Sequence, residues 1–216
     1  MTCEGENNKT CEVSKDLAGL NRNQKTTMMK LQKLETDRYY HIYNRGINGT
    51  LIFRSQENKA YFLKLMNKYL SHKVSILAFC LMDNHYHMAV QVIEEEKIVT
   101  QSFSNLFNAY AKAFNKMYNR TGSLFEKHYR RILVQDINYL RNLITYINTN
   151  PAYHGVNKDF KTFEYSSYRS TVLQHSNEGI APIAKEEVIN LFGDTENFEY
   201  LHEQKIKLNI NRLDLE

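Results

Sequence analysis

Residues 75–92 read Ser-Ile-Leu-Ala-Phe-Cys-Leu-Met-Asp-Asn-His-Tyr-His-Met-Ala-Val-Gln-Val. Apolar runs stand on both sides of Asp83 and Asn84, which predicts two antiparallel strands joined by a tight turn. Side chains alternate across a strand, so His85 and His87 point to the same face of the predicted sheet. Two imidazoles on one face can bind one metal ion or one phosphate, although most such pairs on half-exposed strands bind nothing.

The segments around this hairpin alternate between strand and helix patterns. In chain order the predicted elements are a strand over 38–45, a helix over 58–70, the two strands of the hairpin, a helix over 94–118, a strand over 124–134, and a helix that begins after Asp136 and ends at Asn150-Pro151. The order strand, helix, strand, strand, helix, strand is that of ferredoxin-like domains. We therefore predict an α+β fold: one antiparallel sheet with helices on one face, an extra helix that bears Tyr146, and a C-terminal extension.

The length of 216 residues suits one domain with appendages. Residues 1–35 are rich in Asn, Lys, Thr and Glu with little periodicity, and we predict that they are largely disordered or loosely helical. The main domain is predicted over 36–158. Residues 159–216 form the predicted extension, with a helix over 185–191, and we expect it to pack on the main domain.

Charge and cysteine usage narrow the class of protein. Residues 176–216 contain four basic and nine acidic residues, which leaves 24 basic and 15 acidic residues in 1–175. This excess of positive charge favours a polyanionic partner. The three cysteines form no Cys-x-x-Cys pair, and neither a secretory leader nor an apolar run of membrane-spanning length is evident. We expect a cytoplasmic protein without a membrane partner.

Tyr146 and Asn150 lie four residues apart in the predicted third helix, and therefore share one of its faces. If that face packs against the histidine strand, His85, His87 and the Asn150 amide oxygen form a three-ligand site with room for phosphate oxygens. Mixed nitrogen and oxygen ligands suit Mg²⁺ or Mn²⁺, and manganese is the better match to imidazole. The tyrosine would then be a nucleophile beside the ion. The alternatives are an ordinary half-buried tyrosine and an asparagine that caps the helix.

Three motifs, in this order, resemble the single-tyrosine HUH transposases of the IS200/IS605 kind, and most closely their REP-associated relatives. The motifs are Met82-Asp83-Asn84-His85-Tyr86-His87-Met88, Gly122-Ser123-Leu124-Phe125, and Tyr146-Ile147-Asn148-Thr149-Asn150-Pro151 with Gly155 after it. The resemblance spans Tyr39 to Tyr168. Transposases of the simplest insertion sequences carry Gln four residues after the tyrosine. Asn150 at this position resembles the REP-associated branch instead.

The resemblance implies a transposase that cleaves and rejoins single-stranded DNA with hairpin ends. Tyr146 would form a 5′-phosphotyrosine, while His85, His87 and Asn150 would bind Mg²⁺ or Mn²⁺. The basic residues expected to contact DNA are Arg45, Lys127, Arg130, Arg131 and Arg141. Family members work as dimers or as monomers, so a homodimer is one of two expected states.

Two other functions fit the same sequence. A non-catalytic protein of this fold would bind a nucleic-acid hairpin and regulate expression, and a metal-dependent hydrolase would use water in place of the tyrosine. Tyr139 and Tyr153 are secondary candidates for the nucleophile. Aromatic residues predicted to stack on unpaired bases are Tyr39, Tyr40, His41 and Tyr43.

Overall fold

A four-stranded antiparallel sheet is the centre of the molecule in the computed structural model, which describes residues 31–173 and 183–213. The strands are β1 (Tyr39–Arg45), β2 (Val74–Leu81), β3 (His85–Val92) and β4 (Arg130–Val134). The helices are α1 (Gln56–Leu70), α2 (Glu96–Met117), α3 (Ile137–Tyr153), α4 (Tyr168–Val172), α5 (Lys185–Phe192) and α6 (Thr195–Leu213). The order of the strands in the sheet is β2-β3-β1-β4, and every pairing is antiparallel. This confirms the predicted α+β, ferredoxin-like fold.

The face of the sheet that carries α1 and α2 holds the larger apolar core. Alternate residues of the two central strands point into it, among them Tyr40 from β1 and Tyr86 from β3. The Tyr86 ring lies 5.4 Å from the rings of both Phe62 in α1 and Phe107 in α2, measured between centroids. Burial of these large rings is the main favourable term that holds both helices on this face.

Helix α3 packs on the opposite face, which is the face that carries His85 and His87. As predicted, the helix begins after Asp136, whose side chain accepts a hydrogen bond of 2.8 Å from the Tyr139 amide. Its buried residue Ile144 belongs to a second apolar cluster, together with residues of β2 and β3. The ends of β3 and α3 are thereby brought together.

Two predicted boundaries are wrong. The strand predicted over 124–134 is regular only from Arg130. Phe125 forms an isolated antiparallel bridge with Gly46, just beyond the end of β1, and the chain leaves the ladder between this bridge and Arg130. Helix α3 continues through Pro151 to its last residue at position 153. A proline removes one amide donor, and so close to the end of a helix the loss is limited to one backbone hydrogen bond.

The chain after α3 lies along the outer edge of β2. The Leu81 amide donates to the Tyr165 carbonyl at 2.9 Å, and the Ala184 amide donates to the Ile76 carbonyl at 2.9 Å. The helix predicted over 185–191 is observed as α5. Helix α6 was not predicted, because few of its apolar side chains are buried and its amphipathic pattern is weak.

The segment predicted to be disordered, residues 1–35, lies outside the described residues except for its last five. Within these five, Leu34 is fully buried in the core. Across residues 31–173 and 183–213, no helix combines the length and the apolarity needed to cross a membrane.

Candidate active site

His85 and His87 stand on one face of β3, as the alternation of the strand predicted. Their ring centroids are 5.1 Å apart and their planes are nearly perpendicular. His87 is buried, whereas His85 at the start of the strand is partly exposed. The pair therefore lies between the sheet and α3, with His87 on the inner side and His85 towards solvent.

Helix α3 brings Tyr146 and Asn150 to this pair. The Asn150 side-chain oxygen Oδ1 lies 3.4 Å from Nε2 of His85, and the Tyr146 ring centroid lies 5.6 Å from that of His87. Asn150 is fully buried inside the helix and does not cap its end. The four residues singled out by sequence come from two elements that are distant in the chain, and they meet at one place.

Both histidines are neutral at physiological pH. Burial and, to a smaller extent, the neighbouring His154 lower the pKa of His85 to about 4. Burial also holds the pKa of His87 well below the usual 6.5, with His41 as the next contribution. A neutral imidazole has one nitrogen lone pair, which is what a metal ligand requires.

The polar atoms around Asn150 fit a divalent cation. Nδ1 of His85 lies 2.6 Å from Oδ1 of Asn84, which can only accept, so Nδ1 carries the proton and Nε2 carries a lone pair. That lone pair faces the Asn150 oxygen, which is another acceptor, while the Asn150 nitrogen Nδ2 is buried without a hydrogen-bond partner. A cation between the two acceptors would satisfy both; without a cation, a half-turn of the amide lets Nδ2 donate to His85.

The third ligand would have to be this amide. Among the residues that the structure describes, no three His, Cys, Asp or Glu side chains are grouped so that they could hold a metal ion. His85, His87 and the Asn150 oxygen would leave open positions that phosphate oxygens can fill, and this ligand set suits Mg²⁺ or Mn²⁺.

His41 is a neighbour of the site whose position was not foreseen from the sequence. Its Nε2 atom lies 2.9 Å from Nδ1 of His87, and its ring stacks on Tyr43 with centroids 4.6 Å apart. From sequence it was only a candidate for base stacking, and it is buried. The alternation of side chains along β1 could have placed His41 here, because His41 and Tyr43 are on the face of the strand that packs towards α3.

The predicted DNA-contacting residues separate into distinct groups. Arg45 pairs with His85 across β1 and β3, is largely exposed, and forms an ion pair with Glu126 at 2.6 Å. Arg130 is exposed on the same face of the sheet, and Lys127 is exposed in the loop before β4.

The remaining two arginines contact other parts of the protein. The Arg131 guanidinium lies 4.7 Å from the ring centroid of Tyr129, on the face of α1 and α2. Arg141 donates a short hydrogen bond to the Leu191 carbonyl and so ties α3 to α5.

The two secondary tyrosines lie at different positions relative to Tyr146. The ring centroid of Tyr153 is 6.4 Å from that of Tyr146. Tyr139 lies two turns before Tyr146; burial raises its pKa, and the nearby Tyr43 raises it further. His154, at the end of α3, has its ring centroid 5.2 Å from that of His85.

Comparison with known proteins gives two kinds of match. The family model described as "Transposase IS200 like" matches residues 35–150, which is more than half of the chain. Among solved structures, a REP-associated tyrosine transposase bound to a REP hairpin is similar over 73% of this chain and 99% of its own, with a TM-score of 0.51 and 15% identity. At this identity the similarity supports a common fold.

A second solved structure, the tRNA(His) guanylyltransferase from Saccharomyces cerevisiae, is similar over 83% of this chain and 80% of its own. Its TM-score is 0.40 and its identity is 12%, too low to indicate a related function. No curated protein matches the chain significantly.

Proposed function

This chain belongs to the IS200-like, single-tyrosine transposase family, and we propose that it cleaves and rejoins single-stranded DNA through a covalent bond to Tyr146. The observation that carries the proposal is the meeting of His85, His87, Asn150 and Tyr146 on one face of the sheet. The proposed substrate is DNA with hairpin ends, because the REP-associated transposase of similar fold has a hairpin bound.

In the cleavage step, the Tyr146 hydroxyl oxygen attacks a phosphorus atom of the DNA. The bond between this phosphorus and the 3′ oxygen breaks, which leaves a 5′-phosphotyrosine and a free 3′-hydroxyl. A tyrosine hydroxyl has a reference pKa of about 10, so it loses its proton as the new bond forms, and the departing 3′ oxygen takes up a proton.

Rejoining is the reverse reaction on a second strand. A 3′-hydroxyl attacks the phosphotyrosine, the new phosphodiester forms, and the tyrosine hydroxyl is released with a proton. The free energy of the phosphodiester is kept in the covalent link, so no nucleotide cofactor is required.

His85, His87 and Asn150 would hold Mg²⁺ or Mn²⁺, which when bound supplies positive charge to the scissile phosphate. The buried position of His87 and Asn150 keeps these ligands fixed before the DNA arrives. Arg45, Arg130 and Lys127 are exposed near this face or in the loop that leads to it, and they would attract the phosphate backbone.

We assign the catalytic domain to residues 36–158 and the extension to 159–216. The exposed cationic residues named above and the four residues at the candidate site all fall within the first range. The choice between a monomer and a homodimer as the active unit can be tested by mixing two inactive variants.

The test is formation of a covalent adduct. Purified protein is incubated with Mn²⁺ or Mg²⁺ and labelled single-stranded hairpins from the DNA that flanks its gene, and the products are separated on a denaturing gel. The wild-type protein should form an adduct and Tyr146→Phe should form none. Tyr153→Phe is the matched control, because it removes a nearby hydroxyl from the same helix, and it should retain the adduct.

Two other outcomes would support the alternative functions. DNA cleavage by both wild type and Tyr146→Phe without an adduct would indicate a nuclease that uses water. Tight hairpin binding without cleavage by either protein, across several hairpins, would indicate a non-catalytic regulator.

A further inference from the structure

The hydrogen bond between His41 and His87 joins two buried imidazoles. The two residues lie on adjacent strands, with His41 opposite Ala89 and His87 opposite Tyr43, so they are diagonal neighbours on one sheet face. The exposed fraction is 6% for His41 and 8% for His87. The Nε2 to Nδ1 distance of 2.9 Å is thus set by the central strands of the sheet and not by a mobile loop.

One proton occupies this contact. Two ring nitrogens 2.9 Å apart can neither both carry a proton nor both present a lone pair without repulsion, so one donates and the other accepts. The proton can belong to His87 Nδ1, which leaves a lone pair on His87 Nε2. It can instead belong to His41 Nε2, and then Nε2 of His87 carries the proton of that ring and cannot bind a cation.

His85, the other candidate histidine ligand, shows which ring nitrogen would face the cation. Nδ1 of His85 lies 2.6 Å from the Asn84 side-chain oxygen, and donation to this oxygen leaves the Nε2 lone pair of His85 for a cation. For His87 to offer the same nitrogen, its Nδ1 must also have an acceptor, and the atom within hydrogen-bond distance is Nε2 of His41.

We propose that His41 is a positioning residue: it accepts the hydrogen bond from His87 Nδ1 and thereby reserves the His87 Nε2 lone pair for the divalent cation. This inference rests on the proposed function, in which His87 is a metal ligand. Ligating histidines generally donate their second N–H to an acceptor, and loss of that acceptor weakens metal affinity about 10- to 100-fold. A neutral imidazole fulfils this role without placing a negative charge in the core.

The test compares His41→Gln with His41→Met. The two replacements have similar length and volume, but only Gln offers an oxygen near the position of the lost Nε2. The dissociation constant for Mn²⁺ is measured by electron paramagnetic resonance of the free ion, after circular dichroism has shown that each variant is folded. We expect His41→Met to bind Mn²⁺ about 10- to 100-fold more weakly than wild type, and His41→Gln to remain close to wild type.

A spectroscopic readout tests the tautomer directly. Long-range ¹H–¹⁵N correlation spectra of the wild-type protein with saturating Mg²⁺ should show His87 protonated on Nδ1. A His87 protonated on Nε2 in the Mg²⁺-loaded protein, or equal Mn²⁺ affinity in the wild type and His41→Met, would overturn the inference.

The failure of this inference can be told apart from the failure of the proposed function. If the wild type forms the Tyr146 adduct and all three proteins bind Mn²⁺ equally, only the role of His41 is wrong. If the wild type neither binds Mn²⁺ nor forms an adduct, the metal-dependent function is wrong, and the role of His41 is wrong with it.

Discussion

Arg130 and Arg131 are neighbours in β4, but their side chains leave the sheet on opposite faces. Arg130 pairs with Tyr43 and is exposed on the face that also carries His87. Arg131 lies on the other face, where its guanidinium packs over the ring of Tyr129. Because successive side chains of a strand point to opposite faces of the sheet, only Arg130 can contact DNA at the candidate site.

We predict that Arg130→Gln weakens binding to single-stranded DNA and that Arg131→Gln does not. Loss of one phosphate contact should reduce the slope of log affinity against log salt by about 0.7. Arg131→Gln should instead lower the free energy of unfolding by about 1 kcal/mol, through the lost cation–π contact. Fluorescence anisotropy at several salt concentrations measures the slopes, and equal slope changes in the two variants would contradict the assignment.

At the scale of elements, a chain of hydrogen bonds fixes α3 between the sheet and α6. The Phe79 amide donates to the Ser167 hydroxyl at 3.0 Å, and this hydroxyl donates to the Asn148 oxygen at 2.6 Å. The Asn148 nitrogen donates to Nε2 of His202 at 3.1 Å, and His202 Nδ1 donates to the Phe198 carbonyl at 2.7 Å. All the donors point in one direction. Asn148, in the middle of this series of hydrogen bonds, lies midway in sequence between Tyr146 and Asn150.

This chain of hydrogen bonds predicts a specific loss of stability in acid. Burial lowers the pKa of His202 to about 4 from the reference 6.5, so the unfolded chain binds more protons between these values. The stabilisation is fully present above pH 6.5 and is lost as the pH falls towards 4. The free energy of unfolding should therefore fall less in His202→Gln than in wild type between pH 7.5 and 5, by about 2 kcal/mol.

Urea unfolding at the two pH values measures this difference. The control is His72→Asn, which replaces an exposed histidine in the turn between α1 and β2, where asparagine suits the positive φ of 62°. This variant should keep the acid sensitivity of the wild type. The interpretation would be wrong if His202→Gln did the same.

On the scale of the whole molecule, one chain supplies both sides of the candidate site. The histidines come from β3, and the tyrosine and asparagine come from α3, with α5 and α6 packed behind α3. The C-terminal extension also forms hydrogen bonds with the outer edge of β2. Strand β4, at the other edge, has only five residues and carries two arginines, which disfavours pairing with another strand.

We therefore predict that the tyrosine acts on DNA held by the histidines of its own chain. A mixture of Tyr146→Phe with His87→Ala should form no adduct, because neither protein has a complete site. A mixture of wild type with the double variant should form adduct in proportion to the wild type. Recovery of adduct in the first mixture would show instead that two copies exchange α3.

Local periodicity explains what could be predicted about the fold. The alternation of residues 75–92 and the helical spacing of the flanking segments gave the element order, and this order is enough to indicate a ferredoxin-like sheet. The strand predicted from residue 124 was too long, because the pairing with β1 is interrupted between the bridge at Phe125 and the start of β4 at Arg130. Helix α6 has a weak amphipathic pattern, and its position depends on contacts with α3, which is distant in sequence.

The candidate site likewise combines relations set by local pattern with contacts between residues distant in sequence. The amino-acid pattern was enough to predict that His85 and His87 share a face and that Tyr146 and Asn150 share another, because backbone geometry fixes these relations over a few residues. That the two faces meet, and that His41 contacts His87, 46 residues away, follows from the packing of the folded protein. Such contacts depend on which surfaces pack together, and this is determined by burial summed over the whole core, which no local pattern records.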